Sequence, residues 1–371
     1  MELSFRAPEL QVRSVQYVSD KRYYSIFDDM ARFPDAVIYI AYSRRGVGKT
    51  YSALYGTLAY GDPIVYIKRT IEDINLICSG NDQFDTSPYV PINRDHGTNI
   101  KPKKIANGIG AFYNCNEDDE PIGAPVAYAV ALSAIKNVKG IDLSHCEYMI
   151  FDEFIPQISE TRVLHSEGEA LLDVYSTIAR DREKRGRAPL KLLLFANAEN
   201  IYCPVIDELQ ILDDIADLAI SGASYKYIED RAILLHHVNE IEITEEEKNG
   251  IYKVMKGTSW FRKSFGGEFS KNDFSNISKN VLKKFTPLME IHYREYDFFI
   301  YQRDNNYYIC KQRSNKCPVK MNLNRDNDIR RFYAKYCMDL QDACTEGHVK
   351  FSDYSLYDLI MNFDKRFKNV L

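Results

Sequence analysis

The segment Ser43-Arg44-Arg45-Gly46-Val47-Gly48-Lys49-Thr50 restricts this chain more than any other, because of what flanks it. The β-branched run Ala36-Val37-Ile38-Tyr39-Ile40-Ala41 precedes it as a strand, and Tyr51–Tyr60 follows it as a helix. A loop of this kind cradles phosphate. Gly46 and Gly48 let backbone N–H groups approach an anion with no Cβ in the way, and the helix turns its positive end toward the same point. Lys49 is placed to reach the β- and γ-phosphates of ATP, and the Thr50 hydroxyl to hold Mg²⁺. Ser43 and Arg44 open the loop, with Ser43 standing where a glycine is usual.

Strands and helices alternate around this loop. Pro63–Lys68 reads as a strand, Asn107–Tyr113 and Val126–Leu132 as a pair flanking the acidic turn Asn116–Pro121, and Tyr148–Phe151 as a buried strand ending in Asp152-Glu153. Glu167–Arg185 has helical periodicity, Leu190–Phe195 is the next strand, and Val205–Ile220 is again helical. Such alternation predicts an α/β domain built on a mostly parallel sheet with helices on both faces, over residues 1–220 with an extension at 1–35. Small residues at Ser221–Ser224 suggest a linker over 221–245. Residues 246–371 then read as a smaller α+β domain, with Leu288–Tyr293, Phe298–Tyr301 and Tyr307–Lys311 as a meander and helices over Ile329–Leu340 and Ser355–Phe367.

A Mg²⁺-nucleotide site needs a carboxylate at the end of a neighbouring strand, and Asp152 lies 103 residues beyond Lys49 in that setting. Asp152 is the candidate for the metal, and Glu153 for poising the attacking water. Asn197, at the end of the next strand, suits a polar sensor of the γ-phosphate, or a helix cap. The cluster Arg180–Arg187 either complements a helix dipole or supplies an arginine to a neighbouring subunit's phosphate, with Arg180 favoured over Arg182. Lys136 and Lys139, in a small polar loop, are candidates for contact with a DNA backbone.

Net charge is −5, yet residues 1–230 carry −10 and residues 231–371 carry +5, which suggests a polyanionic partner for the C-terminal part. The eight cysteines form no C-x-x-C pair, and Met1–Tyr17 lacks the apolar stretch of a signal peptide, so a reducing compartment is expected. Cys310, Cys317, Cys337 and Cys344 are spaced too widely for usual zinc sites. No run approaches the ~20 apolar residues that span a bilayer, so no membrane partner is expected.

Taken together, Arg45–Tyr51, Val65-Tyr66-Ile67-Lys68-Arg69, Phe151-Asp152-Glu153-Phe154, Thr177–Glu183 and Ala196-Asn197-Ala198 resemble the genome-packaging ATPases of phi-twenty-nine-like short-tailed bacteriophages. The resemblance implies an additional-strand P-loop fold, Glu153 as catalytic glutamate and Arg180 as a trans-acting arginine. It implies a ring, a pentamer, that drives double-stranded DNA through a portal into a capsid, acting in the host cytoplasm while docked on the procapsid. It further implies a ribonuclease-H-like C-terminal domain without nuclease activity that meets the portal and a structural packaging RNA. Asp297, Asp304, Asp326 and Asp328 share no nuclease motif. Ser43 and the acidic insert Glu117–Glu120 depart from the family pattern. Two other functions remain open at this level: a monomeric nucleotide switch or kinase, and a nucleic-acid-binding scaffold whose loop is structural.

Overall fold

A computed structural model describes residues 20–79, 86–134, 140–156, 164, 166–198, 200–242, 249–258, 261, 269, 272–279 and 283–371. The described residues fall into two compact units, one within Met1–Leu209 and Ser221–Ser270, the other within Gln210–Ile220 and Lys271–Leu371.

The first unit is organised by a nine-stranded sheet. Its elements in chain order are α1 (Ile26–Arg32), β1 (Ile38–Ser43), α2 (Lys49–Tyr60), β2 (Ile64–Lys68), α3 (Ile71–Cys78), α4 (Val90–His96), β3 (Ile100–Ala106), β4 (Ile109–Cys115), β5 (Pro121–Ala131), β6 (Tyr148–Asp152), α5 (Glu167–Ala179), β7 (Lys191–Asn197), α6 (Pro204–Glu208), β8 (Tyr225–Ile228) and β9 (Ile233–Val238). The spatial order is β3-β4-β5-β2-β6-β7-β1-β9-β8. Pairing is parallel from β5 through β9, and antiparallel strands close both edges. The central strands are buried on both faces, as their unbroken apolar runs require. β7 lies between the loop-bearing β1 and the carboxylate-bearing β6, which is the additional-strand arrangement.

The edge strand β3 gave no sequence signal because Lys101, Pro102, Lys103 and Lys104 read as loop; at an edge, lysine and proline instead deter pairing with another chain. The acidic insert forms the hairpin turn between β4 and β5, where Asp119 sits at φ 62° and pairs with Lys101 at 2.5 Å.

Three expectations about boundaries need correction. The expected linker over 221–245 is, as far as it is described at 221–242, part of the sheet: β9 pairs with β1 along its whole length, from Ile38↔Ile233 to Ser43↔Val238. The two histidines of Ile233-Leu-Leu-His-His-Val238 interrupt the apolar run that would have marked it as a central strand. The helix over 205–220 is two helices, α6 and α7 (Leu212–Ser221), separated by Gln210 at φ 51°. The helix expected to reach Arg185 stops at Ala179. Arg180 leaves helical geometry, Asp181 takes φ 61°, and Arg182 is drawn into the interior.

The second unit has a five-stranded sheet from β10 (Thr286–Tyr293), β11 (Tyr296–Arg303), β12 (Asn306–Cys310), β13 (Val319–Asn322) and β14 (Val349–Phe351), in the order β13-β10-β11-β12-β14. The expected meander is β10 to β12. β13 and β14 extend it by parallel pairing with β10 and β12 at the two edges. A helical run Asp326–Thr345, with a π turn at Tyr333–Cys337, buries Ile329, Phe332, Cys337, Leu340 and Cys344 in this unit's core.

Candidate nucleotide site

The parallel strands end along one edge of the sheet, where ligands of open α/β sheets bind. Ser43 and Asn197 end β1 and β7 as register partners, and Asp152, ending β6, pairs with Phe195. A cavity of about 290 Å³ opens there. It is lined by Arg45, Gly46, Val47, Gly48, Lys49 and Thr50 of the loop together with Asp152, Glu153 and Asn197. Sequence positions more than a hundred residues apart thus converge on one space. Asn197 lies within β7 rather than capping a helix.

Gly46 and Gly48 take φ values of 81° and 89°, a region that disfavours any residue with a Cβ. Ser43 does not need glycine's freedom. It is fully buried in extended backbone at the end of β1, and its hydroxyl donates to the Arg44 carbonyl at 2.6 Å. That hydroxyl also accepts from Lys49 Nζ at 2.5 Å, so Ser43 serves as a rest for the lysine. Ser43 and Arg44 therefore shape the loop from beneath rather than lining the cavity. Arg44 is buried, and its guanidinium donates to the Glu242 carbonyl at 3.2 Å.

Burial pushes the Lys49 ammonium down to about 8, although Asp152 and Glu153 pull in the opposite direction. Asp152 takes a hydrogen bond from the Glu153 N–H at 3.0 Å, and the buried Tyr66 hydroxyl lies 3.5 Å from its other oxygen. Glu153 is exposed at φ 55°. A glutamate held in the left-handed region stores ~1–2 kcal/mol, and such strain collects at functional sites.

The turn that carries Glu153 is fixed by residues to which the sequence assigned no role. Arg69, at the end of β2, donates to Glu167 at 2.9 Å and to the Phe154 carbonyl at 2.7 Å. Both side chains of this ion pair are buried, at 6% and 0% exposure. An Arg beyond one strand and a Glu opening a helix nearly a hundred residues later share no spacing rule, so only the fold reveals the pair.

Of the arginine cluster, Arg182 is a structural residue. It is 1% exposed, donates to the carbonyls of Ser144, Cys146 and Ala188, and pairs with Glu147. Arg180 is exposed and is not among the residues lining the cavity. Lys136 and Lys139 lie outside the described residues.

Beside the loop is a second cavity, of about 430 Å³, bordered by Tyr23, Gly48, Tyr51, Tyr55 and His96. The Tyr55 and His96 rings stack at 4.2 Å with planes 9° apart. Its aromatic walls come from three separate stretches of chain, which hid it from sequence reading.

A model of the Podovirus DNA encapsidation protein (Gp16) family matches residues 122–366. The chain belongs to that family. The matched stretch holds Asp152, Glu153, Arg180 and Asn197 and begins beyond the phosphate-binding loop, which therefore stands on its own geometry. The DNA packaging protein of Bacillus phage PZA is 20% identical over 249 residues, 66% of this chain and 66% of that protein. The chain thus spans about two thirds of the length of that curated relative. Among solved structures, the bacteriophage Phi-29 viral genome packaging motor assembly superposes with a TM-score of 0.61 at 15% identity, covering 94% of this chain and 99% of that one. The Phi-28 gp11 DNA packaging motor gives 0.58 at 17%, covering 92% and 98%. These likenesses establish the fold.

In the second unit, the four aspartates serve separate local ends. Asp297 pairs with His292 at 2.8 Å, Asp328 accepts from the Asn322 N–H at 3.0 Å, Asp304 turns a hairpin and Asp326 opens a helix. Among the described residues, no group of three or more His, Cys, Asp or Glu is placed to hold a metal.

Proposed function

We propose that this chain is an ATP-driven motor that moves double-stranded viral DNA into a preformed capsid, hydrolysing ATP at the interfaces of a ring of identical subunits. One observation carries the reading: a phosphate loop, two acidic side chains and a strand-end asparagine share one cavity, while the candidate activating arginine, Arg180, is exposed outside it. A group serving a neighbour's site has to be displayed in that way.

The loop N–H groups and Lys49 bind the β- and γ-phosphates, and the base lies in the aromatic cavity beside Gly48. The Thr50 hydroxyl and the Asp152 carboxylate are hard oxygen donors of residues that line the same cavity, a set that fits Mg²⁺. When bound, that ion neutralises charge developing on the phosphoryl oxygens. Glu153 orients a water molecule in line with the γ-phosphate and accepts its proton as the water oxygen bonds to the γ-phosphorus and the bond to the β,γ-bridging oxygen breaks, ADP leaving with that electron pair. Asn197 holds that water or a γ-oxygen through its amide, and Arg180 of the neighbouring subunit stabilises the transferring phosphoryl group.

Movement of DNA follows from basic loops, Lys136 and Lys139 among them, stepping along the phosphate backbone. The ring is a pentamer docked on a portal in the host cytoplasm, and the basic C-terminal half meets the portal and a structural RNA. No helix among the described residues is long and apolar enough to cross a membrane.

Turnover measured with and without duplex DNA across protein concentrations tests this. Stimulation by DNA and by self-association is expected; a rate indifferent to both refutes the motor and leaves a nucleotide switch or kinase. Mixing Glu153→Gln chains with Arg180→Ala chains should restore part of the activity that each lacks alone, and no recovery would place Arg180 within its own subunit's site or outside catalysis.

A further inference from the structure

Tyr23 and Tyr24 lie across the phosphate-binding loop. The Tyr24 N–H donates to the Val47 carbonyl at 2.8 Å, and a Cβ on Gly48 would come within 3.2 Å of the Tyr23 Cβ. From there a polar chain runs into the interior. The Tyr24 hydroxyl donates to Asp29 Oδ2 at 2.7 Å, the same oxygen lies 2.7 Å from His236 Nδ1, and His236 Nε2 lies 2.9 Å from Glu240 Oε1. Tyr24, Asp29 and His236 are 3%, 2% and 1% exposed. His236 belongs to β9 and is the register partner of Ala41 in β1.

Packing alone does not call for such a cluster. Burying a carboxylate and an imidazole costs desolvation that apolar side chains avoid, whereas a buried polar network fixes one geometry. Here the geometry fixed is that of a tyrosine whose backbone holds the loop. We propose that Asp29 and His236 are positioning residues for nucleotide binding: through Tyr24 they hold the Val47 carbonyl, and with it the loop, in the shape that receives phosphates. This rests on nucleotide binding at the loop and needs neither DNA nor a ring.

His236 faces Asp29 from α1, Tyr24 ahead of α1, Tyr225 of β8 stacked on its ring at 4.0 Å, and Glu240 beyond β9; Arg32 lies over Tyr225 at 4.4 Å. Burial opposes a charge on His236, but hydrogen bonding to Asp29 and Glu240 outweighs it and raises the ring above its usual 6.5. The imidazolium is held by the hydrogen bond of Nδ1 to Asp29 and by the Glu240 charge 2.9 Å from Nε2, and deprotonation forfeits the attraction to both carboxylates. The cluster is therefore intact below the ordinary histidine range and loosens as pH rises through the raised value.

The test is the dissociation constant for a fluorescent ATP analogue with Mg²⁺, measured on the full chain without DNA. Tyr24→Phe deletes only the hydroxyl and leaves the N–H on Val47; a loss of ~5–10-fold in affinity is expected, the size of one ordinary hydrogen bond and part of what a bond to a carboxylate is worth. Asp29→Asn should lose at least as much. In His236→Gln, the fall in affinity with rising pH should lose the component present in the wild type; titrations common to both proteins, that of Lys49 included, cancel in the comparison. Wild-type affinity in Tyr24→Phe, or superimposable pH profiles for wild type and His236→Gln, would overturn the proposal. So would a lowered melting temperature with unchanged affinity well below it, which marks a purely structural role. Should Asp29→Asn fail to fold, Tyr24→Phe and the pH comparison decide.

Discussion

Arg69→Met breaks the buried ion pair beside the turn that carries Glu153 and leaves Glu167 with its charge in the interior. The Arg69 guanidinium lies 2.9 Å from Glu167 and 2.7 Å from the Phe154 carbonyl, with 6% and 0% of the paired side chains exposed. Removing one partner of such a pair costs about 3–5 kcal/mol, mainly because the other charge stays buried. At ~2–4 °C per kcal/mol for a unit of this size, the melting temperature should fall by roughly 6–20 °C. Thermal and urea unfolding followed by circular dichroism measure both figures. The double variant Arg69→Met/Glu167→Leu removes both charges and should regain most of the loss. It still lacks the bond to the Phe154 carbonyl, so turnover should stay low after stability returns. A single variant within about 1 kcal/mol of wild type, or a double variant as unstable as the sum of the singles, would refute the claim that desolvated charge sets this energy.

Nucleotide affinity should decline as pH rises past about 8, because Lys49 must carry its proton to meet phosphate and burial has brought it down to about 8; an affinity flat to pH 10 contradicts this. Glu153→Gly relieves the left-handed strain at φ 55° and should raise stability by ~1 kcal/mol while turnover drops by ~10²–10⁴ and binding persists. The two arginines should separate cleanly. Arg180→Ala should leave stability within ~0.5 kcal/mol yet suppress turnover, whereas Arg182→Ala should cost ~3 kcal/mol or more, because the Cys146 and Ala188 carbonyls lose the bonds they accept from it while Ser144 and Glu147 keep only Arg187. Urea unfolding of the two variants checks the first half of that statement and ATPase assays the second.

Those arginines also show where sequence reading reaches its limit. That Arg45–Thr50, Asp152-Glu153 and Asn197 share a cavity was legible because each is local: a few residues of fixed spacing at the end of an apolar run, whose strand or helix period declares itself within ten positions. The parallel sheet was legible for the same reason, from alternation alone. The linker assigned to 221–245 failed because β9 earns its place by pairing with β1, a contact nearly two hundred residues away, and its two histidines disguise it. Arg180 and Arg182 stand two residues apart in one charged run, and only the turn at Asp181 decides which is displayed and which is swallowed. Ser43 looked like a defect in the loop until its strand geometry and its bond to Lys49 were visible. The sequence by itself marked the candidates for the proposed chemistry: a phosphate cradle, a general base, a magnesium ligand. Tertiary structure alone decided what supports it, the Arg69–Glu167 pair, the aromatic cavity and the Tyr24–Asp29–His236 chain, because each joins groups remote in sequence whose energies exist only once the interior excludes water.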